Sequence, residues 1–272
     1  QDAVIWLEGW RELAPKMGNF PCCSTPGDAL CRPRQHIDQP IGMEELGTGD
    51  VVLLQEPQFA HGGGCFAQNL LCWDANHMGI IVSISDFAED SALRKQFPKY
   101  QPGQKCCLHA LMTGMKCWDL ELYEQRMHDT RFTAGTIFIR KLKATGSSTD
   151  AEMRATAATS IDGLYAEIKD RTYERNLCSM VAGWCDTPEQ ISCCHCCESK
   201  GDLSSVFCSE LVAEALIRAK IIRDDRPSDE FMPMNFYKSD GTNIEQTAFA
   251  EGYGLGPLRT LDLGNGSSSE EY

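Results

Sequence analysis

Positive charge is scarce in this chain. Lysine and arginine number 25 against 39 aspartates and glutamates, a formal net charge of -14 at neutral pH. Such a balance argues against nucleic acid or an anionic membrane surface as the main partner, because both repel it. Long apolar runs are missing as well. The longest, such as "MGIIVSI" and "TIFI", are strand-sized and fall far short of the roughly 20 residues a membrane-spanning helix needs. No internal repeat is present, which excludes a repeat architecture. The glycine run "HGGGC" at 61–65 has no phosphate-loop lysine after it and reads as a flexible turn. The apolar share of 42% and charged share of 24% are those of an ordinary globule, and 272 residues suffice for a substantial core.

Cysteine is what the chain has in excess. Its fifteen cysteines cluster at 22/23/31, 65/72, 106/107/117, 178/185 and 193/194/196/197, with Cys208 apart. Oxidising compartments support such usage, so most of these sulfurs are expected in disulfides. Gln1, in place of Met, suits a mature protein whose signal peptide has been removed. Together these imply a secreted, extracellular or lumenal setting. Asn265-Gly266-Ser267 is a glycosylation sequon and adds little. Setting Cys208 aside leaves fourteen cysteines, which can pair completely. An odd cysteine implies an intermolecular bridge or a reactive thiol.

Along the chain, "DAVIWLEGWREL" predicts a short amphipathic helix, and a Pro/Cys/Gly-rich connection follows to about Pro40. Strands are predicted at 49–55, 77–84, 106–112 and 134–143 from short apolar, β-branched runs. "GSSTD" at 146–150 has helix-capping character, and a helix follows it, broken or bent at Gly163. "SSVFCSELVAEALIRAKII" is the clearest helix. Ser204 and Ser205 suit its N-cap, so it should start near Val206 and hold Cys208 in its first turn. The organisation expected is α+β. Residues 1–40 form a lead-in, 41–263 one domain with cysteine-rich inserts at 55–75 and 178–203, and 264–272 a disordered tail.

A cysteine in a helix's first turn faces unsatisfied N–H groups and the positive end of the dipole, which favour thiolate. Cys208, Val212, Ala215 and Ala219 share one helical face, directed at the sheet. The bland alternative is a buried structural thiol or disulfide partner. A nucleophilic cysteine needs an imidazole within reach and a third group to orient it. Of six histidines, His36, His61 and His128 read as solvated. His77 opens a strand and shares a face with Gly79, whose missing side chain permits another backbone to approach. His109 lies inside the third strand, between Leu108 and Ala110. Each alone is more often a core histidine than a catalyst. "CCHCC" at 193–197 places potential zinc ligands next to each other, whereas structural zinc sites space them, so disulfide bridging is the preferred reading. No metal and no cofactor are expected.

Taken together, "TGDVVLL", "HMGIIV" and the later "FCSELVAEAL" resemble the circularly permuted papain-like hydrolases of the NlpC/P60 superfamily. The branch is that of the YiiX-like proteins and the lecithin retinol acyltransferase relatives. The resemblance covers roughly residues 45 to 240 in short blocks. These include a Gly-x-x-Tyr-like element at Gly163 and Tyr165, at shortened spacing, and "PMNFYKSD" near the end. It implies a small antiparallel sheet packed on the nucleophile helix, with Cys208 as nucleophile, His77 as base and His109 as the orienting residue. Tyr165 is a candidate oxyanion contact. The implied activity is cleavage of an amide or acyl bond in a peptide or acyl substrate. The competing expectation is a non-catalytic, disulfide-stapled structural component of an extracellular assembly that keeps the fold.

Overall fold

The computed structural model describes residues 38–55, 77–111, 114–122, 136–173, 205–231, 233–237 and 248–262. These make an α+β arrangement around a seven-stranded sheet. The strands are β1 (Asp38–Gly42), β2 (Val51–Gln55), β3 (His77–Ser83), β4 (Lys105–Leu111), β5 (Gly114–Asp119), β6 (Thr136–Ala144) and β9 (Tyr253–Asp262). Their order is β1-β9-β6-β2-β3-β4-β5. All neighbours run antiparallel except β1 and β9, which are parallel, so the sheet is mixed and larger than the small antiparallel one expected. A separate two-residue ladder joins β7 (Thr172–Tyr173) to β8 (Ser205–Val206) in parallel.

The central strands read as continuous apolar runs because both faces of the sheet are buried. Val51 and Leu53 of β2 point into one core and Val52 and Leu54 into the other. All seven residues of β3 are buried. The first core is roofed by helices α1 (Ala92–Gln96), α2 (Asp150–Ile168), α3 (Cys208–Arg218) and α4 (Pro233–Tyr237).

Helix α2 begins where the capping signal placed it. Thr149 Oγ1 accepts from Glu152 N–H at 3.2 Å, and Thr149 N–H donates to Glu152 Oε2 at 2.9 Å. It then runs unbroken through Gly163, so the expected break is absent, and ends at Ile168. Met153, Ala157, Ile161, Leu164 and Ile168 form a buried stripe that continues across the glycine and anchors both halves of the helix.

The Gly49-Asp50 block is an anchor. Gly49 has φ +96°, a conformation that suits glycine. Asp50, fully buried, accepts from the N–H groups of Gly47 (2.8 Å) and Leu142 (2.9 Å) and from Arg154 Nη1 (3.1 Å). One carboxylate thereby ties the start of β2 to β6 and to α2. Burial raises the Asp50 carboxyl above its usual range, with Arg154 and the two amides opposing.

The cysteines correct one expectation. Cys106, Cys107, Cys117 and Cys208 are buried thiols. The predicted bridging of the 106/107/117 cluster therefore does not hold. Parity no longer singles out Cys208 either, since four thiols leave eleven other cysteines, an odd number. β4 and β5 hold Cys106 and Cys117 side by side in one apolar core, where their sulfurs share a hydrogen bond instead of a covalent link. Those eleven, "CCHCC" with His195 among them, lie outside the described residues, as do His36, His61, His128, the N-terminal helix and the tail.

Candidate functional site

The segment leading into α3 is not capped as the sequence suggests. Ser205 and Val206 are drawn into the ladder with Thr172 and Tyr173, so the chain stays extended as far as Phe207 and turns helical only at Cys208. Phe207 takes the N-cap position, and its N–H donates to Glu210 Oε2 at 3.3 Å. A tertiary ladder has displaced the local serine cap. The consequence is that Cys208 is the first helical residue, where backbone N–H groups have no partner within the helix.

Two backbone N–H groups donate to the Cys208 sulfur, that of Ser209 from the same turn and that of Met78 from β3. The register explains the second. β4 pairs with β3 only from Ser83↔Lys105 to Ile80↔Leu108. His77, Met78 and Gly79 lie beyond this ladder, and α3 packs against both strands.

The third group at the sulfur is the His77 side chain, which is hydrogen-bonded to it. His77 Nε2 lies 2.8 Å from His109 Nδ1. By elimination, His77 Nδ1 is the nitrogen that faces the sulfur. Burial pushes the Cys208 thiol up, but the charge and hydrogen bond of His77, with the two amides, outweigh it, and the thiol lies below its ordinary value.

His109 is held well below the ordinary histidine range, first by burial, then by the charges of His77 and Lys116. It is the neutral member of the pair. With His77 protonated beside the thiolate, its Nε2–H donates to His109 Nδ1, and His109 then carries its own proton on Nε2. Trp118 stands edge-on to its ring, with centroids 4.6 Å apart and planes at 73°. Gly79 makes room for the approach, since a Cβ there would meet Cys107 Sγ at 2.5 Å and His109 Cβ at 3.1 Å. The three side chains are nearly enclosed, with 6%, 3% and 0% of Cys208, His77 and His109 exposed.

Tyr165 goes elsewhere. Its ring packs on Phe97 at 5.7 Å, and burial with the charges of Cys117 and Asp170 raises its phenol to about 12. The groups acting on the sulfur are His77 and the amides of Met78 and Ser209, not Tyr165. Sequence reasoning missed Trp118 and Lys116, because "GMKCWD" was not recognised as the strand β5. Their shared face, two residues apart, was the available signal. Among the described residues no group of three or more His, Cys, Asp or Glu side chains is placed to hold a metal ion. No described helix is long and apolar enough to cross a membrane.

No protein-family model matches the chain, and no curated protein matches it. Among solved structures it is similar to the metalloprotein yiiX of Escherichia coli O157:H7. The similarity is at 15% identity over 83% of this chain and 98% of that one, with a TM-score of 0.38. Likeness of that degree leaves the chemistry to be argued from the side chains themselves.

Proposed function

We propose that this chain is a thiol hydrolase of the circularly permuted papain-like NlpC/P60 type, cleaving an amide or acyl bond through Cys208, His77 and His109. One observation carries the reading: an unbroken hydrogen-bonded line from the Cys208 sulfur through His77 to His109 Nδ1, assembled at a helix start from three separate elements. The order of elements supports it, with the histidine strand before the cysteine helix and that helix packed on the sheet.

His77 takes the Cys208 proton, and the thiolate attacks the carbonyl carbon of an amide, ester or thioester. The oxyanion is received by the Cys208 backbone N–H, which has no acceptor within the helix. His77 returns the proton to the leaving group. It next deprotonates a water molecule that hydrolyses the acyl-enzyme, and the thiol is restored. His109 stays neutral throughout and keeps the His77 ring in register. A secreted or lumenal setting belongs to the same proposal and rests on the cysteines outside the described residues.

The second reading is the non-catalytic structural component. The near-complete enclosure of Cys208, His77 and His109 favours it. The experiment that separates the two is alkylation of the native, unreduced protein with iodoacetamide and peptide mapping, followed by a panel of peptide, ester and thioester substrates. The hydrolase reading expects Cys208 to react at a pH below the ordinary thiol value of about 8.5, and turnover to vanish in Cys208→Ala. His77→Ala should slow turnover by roughly 10²–10⁴-fold. An inert Cys208 would leave the structural reading.

A further inference from the structure

The two coupled histidines pose a question of charge: which of them carries the proton when the thiolate forms? His109 is faced by His77 from β3 and by Lys116 and Trp118 from β5. Cys107 stands two positions back on its own strand, and Cys208 acts on it through His77. Two other charged groups nearby have hydrogen bonds of their own. Glu210 of α3 accepts from Phe207 N–H, and Asp119 of β5 accepts from Gln104 Nε2 at 2.7 Å. Lys116 is thus the fixed charge directly across the ladder, in register with His109. Directly opposed side chains on antiparallel strands have Cβ atoms about 4.5–5.5 Å apart.

We propose that Lys116 is a positioning residue for charge: from across the β4–β5 ladder its ammonium adds to burial in keeping His109 neutral, and so helps hold the proton on His77, beside the sulfur. The proposal rests on the thiol hydrolase reading and deepens it. Were the proton to pass to His109, the positive charge would move one ring away from Cys208, and the thiolate would lose its partner. Trp118 completes the arrangement by closing one flank of His109 with an apolar ring, so the repulsion from Lys116 is less screened than at an open surface. Lys116 is not among the groups that act directly on the sulfur. No bond forms or breaks at it.

The test is the rate of Cys208 alkylation by iodoacetamide, followed by peptide mapping from about pH 4 to about pH 9, in the wild type, Lys116→Met and Lys116→Arg. The wild type should show reactivity persisting below the ordinary thiol range, then a second step where the imidazolium is lost. In Lys116→Met that second step should move upward by roughly half a unit to one unit, the size expected of one charge removed from a partly solvated ladder. Lys116→Arg should restore the wild-type profile. A Lys116→Met profile superimposable on the wild type overturns the proposal and leaves the hydrolase reading standing. A wild type with no reactivity below the ordinary thiol range overturns the thiolate reading, and this proposal with it. Histidine ring NMR gives a measure independent of alkylation. The His109 nitrogens should stay neutral through the wild-type titration and enter it in Lys116→Glu, and an unchanged His109 in that variant would count against the proposal.

Discussion

A side chain on Gly79 would place its Cβ 2.5 Å from Cys107 Sγ, closer than real Cβ contacts allow. The neighbouring atoms are the Leu108 carbonyl oxygen and His109 Cβ, at 2.8 and 3.1 Å, so β4 cannot yield without carrying His109 with it. Gly79→Ala should therefore destabilise the protein by about 1–3 kcal/mol and pull His109 away from His77. Denaturant unfolding measures the first effect, and a slower Cys208 alkylation in the folded variant measures the second. Wild-type alkylation in a destabilised variant would show that Gly79 serves packing alone.

Stability should fall on acidification through the histidine range. Burial, then His77 and Lys116, depress His109 in the folded state, so the unfolded chain binds the proton first. Its contribution is present above the unfolded value of about 6.5 and is lost as pH falls below it. Melting temperature recorded from about pH 7 down to about pH 5 should drop, and His109→Gln should flatten that slope. An equal slope in the variant would assign the acid sensitivity to other groups.

Asp50→Ala should cost about 3–5 kcal/mol, since it removes the partner charge of Arg154, which keeps only the Thr48 carbonyl, and leaves two buried amides without their acceptor. The lost bonds tie β2 to β6 and α2, on elements that do not bear Cys208. Alkylation per folded molecule should therefore stay at the wild-type rate. A selective fall in that rate would reveal coupling from this anchor to the sulfur.

Thiol counting checks the redox state of the sheet. In the native protein, Cys106, Cys107 and Cys117 should resist a thiol reagent, because all three are buried and the hydrogen bond with Cys106, then burial, raises Cys117 well above its usual range. Denaturant without reductant should expose all three. Failure of Cys106 and Cys117 to react after unfolding would mean that they are bridged in the isolated protein.

Much of the site was legible one segment at a time. "HMGIIVS" and "KCCLHAL" announce buried strands by their apolar runs, and "STDAE" announces a capped helix by its hydroxyl and carboxylate spacing. The apolar face that begins at Cys208 marks α3 by its 3.6-residue period. These signals come from neighbours within a few residues, so they survive in the linear chain.

What escaped the sequence depends on partners far away. β9 carries Gly254, Gly256 and Pro257, poor strand formers, and is a strand because β6 and β1 flank it. The start of α3 is set at Cys208 by a ladder with Thr172 and Tyr173, which overrides the serines. By itself the sequence determined which residues are able to do chemistry: a cysteine at a helix start and two histidines on adjacent strands. Only the tertiary structure decided that the β3–β4 ladder ends at Ile80, that Met78 N–H turns to the sulfur, and that His109 sits opposite Lys116 as a neutral base. Register and burial set those charges, and neither exists until strands distant in sequence have paired.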